Sequence, residues 1–349
     1  MRAGRTGGRP LLILSVLAAL GVTAALGWLL VSQLTPTAPP AHLIPLPLRH
    51  VGVVALPGGA TRFDYADIDP SAHRLFLSHM DDNTLLVVDT ATRQVTRTVT
   101  GLPEVTGMIV VPSLHRVFAS AAGAGQVVTL DEATSAVLAR APAGSFPDGL
   151  AYVPTTGQVW ISDEDGGAET VIDATTGQRV ATVTLAGQAG NVRYDPVGDR
   201  VLVDVQTRDE VVVINPHTRR IESHAPVPGC DHDHGLLLDA TRAFVACDGN
   251  NVLVILNLRT LARVGTQRVG ERPDVLALDP VRHLLYVAAE SGVLTTIDTT
   301  PTDGRVTGCA VLGDNAHVVV VDPTTGAAYF PLPHGRHDTP ELLITQPAT

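Results

Sequence analysis

The sequence predicts an all-β chain: a seven-bladed β-propeller of four-stranded antiparallel blades, preceded by one N-terminal transmembrane or signal helix. Three observations predict it. A unit of about 42 residues recurs seven times, each full unit contains four short apolar runs, and a strand-like stretch ahead of the first unit supplies what the last unit lacks. The organisation that follows is a membrane anchor or signal segment over 1–31, a Pro-rich linker over 32–48 and the propeller over 49–349.

The N-terminal segment is the simplest element. Residues 11–31 form an uncharged apolar run of 21, and a bilayer-spanning helix needs about 20. Arg2, Arg5 and Arg9 precede it with no acidic residue, so the flank stays cytoplasmic and the remainder is expected to be exported. An uncleaved anchor is favoured over a cleaved signal because the run exceeds the usual core of a signal peptide. Residues 32–48 are rich in proline and read as a stiff extended tether.

The repeat is anchored first by a turn proline. It stands at Pro70, Pro112, Pro154, Pro196, Pro280 and Pro323, with Ala240 in the fifth unit. A second strand follows each turn, as in Leu75-Phe76-Leu77, Val159-Trp160-Ile161 and Leu285-Tyr286-Val287. The third strands end at Asp89, Asp131, Asp173, Asn215, Asn257 and Asp298, each just before a Thr-bearing turn. Asp and Asn favour such turns because their side chains accept hydrogen bonds from backbone groups slightly further on. The seventh unit supplies only three strands, and residues 49–57 have the composition of the fourth. That strand would tie the two ends of the chain together and remove open sheet edges.

These units resemble the YVTN-type repeat of YncE-like seven-bladed β-propeller proteins. The clearest copy runs from Pro273-Asp274-Val275-Leu276-Ala277-Leu278-Asp279-Pro280 to Leu285-Tyr286-Val287-Ala288, and Phe146-Pro147-Asp148-Gly149-Leu150-Ala151 is a second. The resemblance spans about residues 50–345. It implies an exported bacterial propeller without an assigned reaction, with single-stranded DNA bound by some relatives.

The repeat also indicates where a site would form. In a propeller the first strand of each blade lines the central channel, and ligands bind at its mouth. Six residues before each turn proline or Ala240 stand Asp64, Thr106, Asp148, Gly190, His234, Asp274 and His317, with Tyr65 and Asn191 one place later in their units. Together with His232, Asp64, Tyr65, Asp148, Asn191, His234, Asp274 and His317 form the expected ligand-binding set. Asp64, Asp148, His234, Asp274 and His317 offer carboxylate and imidazole donors that suit a divalent cation. Solvated loop-entry residues would produce the same pattern without a metal.

The formal net charge is −11, and every basic residue is Arg. Such a surface repels phosphate backbones, which argues against a nucleic-acid partner and for a cation, a small molecule or a protein. A monomer is expected, held at the membrane by its N-terminal helix. Three cysteines occur, at 230, 247 and 309. Strand pairing in the fifth unit places Cys247 near the segment carrying Cys230, so a Cys230–Cys247 disulfide is expected, with a soft-metal site beside His232 and His234 as the alternative. Cys309 reads as a free, partly buried thiol.

No Walker loop, GxGxxG, GxSxG, HExxH or CxxC is present. Two functions follow. The first is an extracytoplasmic binding or interaction propeller, with no cofactor required. The second is a metal-dependent hydrolase, lactonase or lyase working at the same mouth, with ligands drawn from scattered strands.

Overall fold

The computed structural model describes residues 43–348. The N-terminal helix expected over residues 11–31 lies outside them, and no described helix is long and apolar enough to cross a membrane. The described chain contains seven four-stranded sheets, each wholly antiparallel. The first strands of neighbouring blades pack side by side, and the innermost strand of the seventh returns to that of the first. Blade three illustrates the unit, with strands Pro147–Val153, Gln158–Asp163, Ala168–Asp173 and Arg179–Thr184.

The turn chemistry read from the repeat is visible in the bonds. In blade one, Oδ1 of Asp69 accepts from the backbone N–H groups of Ser71 and Ala72 at 2.8 and 3.2 Å. Asp279 does the same for Val281 and Arg282. At the third-strand ends, Asp89, Asp131, Asp173, Asn215 and Asn257 each accept from the N–H of a threonine three residues later. Asp and Asn suit these positions because a short acceptor side chain can close the turn on its own backbone.

The core lies between blades. Phe76, Phe118, Trp160, Leu202, Phe244 and Tyr286 recur every 42 residues on the second strands, and all are fully buried. They interleave with apolar side chains of the adjacent blade in contiguous clusters. The outer strands are polar and exposed by comparison, as in Gln94–Val99. The strong alternation expected of a one-sided sheet is therefore absent from the middle strands, whose two faces are both covered.

Closure occurs as the sequence predicts. Leu48–Ala55 pairs with Glu341–Pro347 as the outer strand of blade seven. The innermost strand of that blade is short, Val320–Val321, against Pro147–Val153 in blade three. The chain is also engaged before this strand. Ile44 exchanges two backbone hydrogen bonds with Cys309, on the outer strand of blade six, at 2.7 and 2.8 Å. Residues 44–48, which composition assigns to the tether, thus already belong to the propeller.

The Cys230–Cys247 disulfide is present, with Cα atoms 5.3 Å apart, and Cys309 is a buried free thiol. The disulfide consumes both thiols of the alternative soft-metal site. Cys247 faces Asp233 across the strand pair, one position from His234.

Candidate functional site

One end of the channel opens into a cavity of about 370 Å3. Asp64, Tyr65, Asp148, His232, His234 and Asp274 line it, joined by Thr106 from blade two. Asp64, Asp148 and Asp274 are almost fully withdrawn from solvent because they lie where seven strands converge. His317 and Asn191 do not line this cavity. His317 is completely buried, with Nε2 3.9 Å from Asp64 and 3.8 Å from Asp274 and no hydrogen-bond partner. Its Nδ1 lies 2.9 Å from the carbonyl of Asn315.

Several residues of the mouth escape the repeat alignment. The chief one is Arg62. Its guanidinium donates to Asp64 at 3.0 Å and to Glu290 at 2.9 Å, and stands 3.8 Å from Asp274. Arg272 holds the other oxygen of Glu290 at 2.6 Å. Burial opposes the Arg62 charge, but Asp64, Asp274 and Glu290 outweigh it and raise its pKa. A signal for both arginines was present in the sequence: Arg62-Phe63-Asp64 and Arg272-Pro273-Asp274 share the pattern Arg-x-Asp at the same place in the unit.

Arg62 changes the chemistry available. Asp64, Asp148, His234, Asp274 and His317 do not converge on an open point; Arg62 takes up the space between Asp64, Asp274 and Glu290. Among the described residues no three His, Cys, Asp or Glu side chains form a group that could hold a metal ion. The guanidinium neutralises Asp64, Asp274 and Glu290, which together form a network of ion pairs.

The rest of the mouth is tuned in opposite directions. His234 Nε2 lies 3.3 Å from Asp274. Burial disfavours its charge, yet Asp274, Asp148 and Glu164 together push the imidazole well above its ordinary value. Burial also works against Asp274, but His234, His317 and Arg62 hold it down at about 2. Asp148 goes the other way. Burial first, then the charges of Asp64 and Glu164, push it well above the carboxylate range. One of its oxygens, Oδ1, is buried without any hydrogen-bond partner. These shifts favour the protonated form of Asp148 and an imidazolium–carboxylate pair between His234 and Asp274.

His232 reaches the cavity from the loop ahead of the first strand of blade five. It does not lie on the strand, which begins at Asp233, but adopts a left-handed φ of 63° just before it. Its Nδ1 pairs with Asp248 at 2.6 Å. The two imidazoles line one cavity because the disulfide-pinned loop turns His232 inward, not because strand alternation aligns them.

Tyr65 forms the floor. Its hydroxyl accepts from Asn191 Nδ2 at 2.7 Å, and Asn191 also donates to the carbonyl of His234 at 3.2 Å. Blades one and four lie on opposite sides of a seven-membered ring, so the Tyr65–Asn191 bond crosses the channel. Tyr65 lines a second cavity on its other side.

Comparison with known proteins agrees with this architecture. A solved structure titled Kuenenia stuttgartiensis hydrazine synthase is similar, with a TM-score of 0.66 and 16% identity over 76% of this chain and 91% of that one. The shared feature is the β-propeller. The fold is common, since 1761 solved chains are similar, and at 16% identity the likeness carries no chemistry. No family model matches the chain, and no curated protein does.

Proposed function

We propose that this chain is an extracytoplasmic, membrane-tethered binding propeller of the YncE-like type, whose acidic mouth captures a small organic cation. The observation that carries this reading is the Asp148 carboxyl group, buried in the mouth with an unpartnered oxygen. A buried polar atom without a partner costs free energy that a ligand donor recovers. The surroundings select positive charge. Asp64, Asp148, Glu164, Asp165, Asp248, Asp274 and Glu290 face only Arg62, Arg272, His232 and His234. Arg62 and His234 already balance Asp64 and Asp274, which leaves Asp148 and Glu164 as the side of the cavity open to an ammonium group. Export is supported by the basic, then apolar N-terminus and by the Cys230–Cys247 disulfide.

The test is calorimetry with 1,4-diaminobutane, in two buffers of different ionisation enthalpy. An ammonium group beside Asp148 favours its carboxylate form, so binding should release a proton and tighten as pH rises from 6 to 8. Asp148→Asn should abolish the proton release. Binding that releases no proton, or a succinate control that binds as well as the diamine, would sink the reading.

A further inference from the structure

Beyond the Tyr65–Asn191 bridge the channel widens into a cavity of about 660 Å3. That lies within the roughly 300–1,000 Å3 range of small-molecule sites. Its walls are the apolar first strands of the blades. Asp67 and Arg193 are the only charged residues that line it. Both stand three residues beyond the ring position of their units, in blades one and four. The other blades place Ile109, Ala151, Leu237, Ala277 and Val320 there.

The two charges are not equivalent. Asp67 is satisfied by its own backbone surroundings: Oδ1 accepts from the N–H of Ile68 at 2.8 Å and Oδ2 from that of Val110 at 2.7 Å. Arg193, partly buried, keeps donors free. Its Nη1 donates to the carbonyl of Val192 at 2.8 Å and to Asn191 at 3.4 Å. Its Nε and Nη2 bond to no described residue, and Arg193 forms no ion pair among them. The Nε–Nη2 edge presents two parallel N–H groups, the geometry that grips a carboxylate bidentately. A guanidinium on an apolar cavity wall with that edge free of partners among the described residues offers a ligand a bidentate contact.

We propose that this compartment binds a small apolar carboxylate, with its hydrocarbon body against the first strands and its carboxylate on the free edge of Arg193. The site is separate from the acidic mouth, on the opposite side of Tyr65, and takes the opposite charge.

Octanoate titrated calorimetrically into the chain tests the proposal, with octan-1-ol as the control. Octanoate should bind in a single 1:1 event and leave diamine binding at the mouth intact. Each added methylene should tighten binding about threefold to fourfold until the cavity is filled. Arg193→Lys keeps a charge but loses the fork, and should weaken octanoate at least tenfold. Asp67→Asn removes the one opposing charge and should tighten it severalfold, which no loss of structure would produce. The proposal is overturned by absence of octanoate binding, by octan-1-ol binding as tightly as octanoate, or by octanoate affinity unchanged in Arg193→Lys.

Discussion

Asp204 and Asp233 form a buried carboxyl pair between blades four and five, and they make stability depend on pH in an unusual sense. Both are fully buried, and none of their four carboxyl oxygens has a hydrogen-bond partner. Asp204 occupies the place of Ser78, Ser120 and Ser162 in the repeat. There, Ser120 donates to the carbonyl of Asp148, the entry residue of the next blade, at 2.7 Å. In blade four that position holds a carboxyl group, which can donate only when protonated. Burial, with Asp233 alongside, pushes Asp204 well up. Burial first, then Asp209 and Glu210, pushes Asp233 up to about 8.

An acid whose folded pKa is raised keeps its proton in the native state while the unfolded chain has lost it. Stability is therefore greatest near or below pH 4 for this pair and falls as pH climbs towards 8. For Asp233 alone the slope is roughly 1 kcal/mol per pH unit, on the order of 5 kcal/mol across that window. The assay is urea unfolding of wild type and Asp233→Asn at pH 5, 6, 7 and 8. The variant should gain on wild type as pH rises, because an amide cannot ionise; the His234 contribution, common to both, cancels. Parallel pH profiles for the two proteins would refute the buried-acid argument.

Three further outcomes follow from particular contacts. Reducing the Cys230–Cys247 bond, which spans 17 residues, should cost about 3 kcal/mol in urea unfolding with and without reductant. Asp274 has its pKa held at about 2 by neighbouring cations. It contributes stability that is present above about pH 4 and is lost as pH falls through 2. Asp274→Asn should flatten that part of the acid-unfolding profile by about 2 kcal/mol. Trp160, fully buried between blades, should cost about 3–5 kcal/mol on substitution by alanine, seen as an earlier urea midpoint.

The 42-residue period made the propeller legible because each blade meets the same local demands. Asp69 and Asp279 close the same turn, Phe118 and Trp160 fill the same gap, and Leu48–Ala55 completes the blade that Glu341–Pro347 leaves short. Counting from the turn proline also groups Asp64, Asp148, His234 and Asp274, which line one cavity, since strand direction fixes where a first strand begins. The pairing of Cys230 with Cys247 followed from the same hairpin.

What the side chains do to one another was settled only by the assembled ring. Asp64, Asp274 and Glu290 are not all neighbours in sequence, and only the tertiary structure sets Arg62 among them in ion pairs. His232 enters the mouth through a left-handed residue that alternation does not foresee. Tyr65 and Asn191 are separated by 126 residues, yet their hydrogen bond divides the channel into an acidic end and an apolar one. Turns and strands answer to neighbours in sequence, and so the sequence alone determined the blades. Charge balance and burial answer to whatever the closed ring brings within a few ångströms, and so the character of the two cavities was decided by tertiary structure.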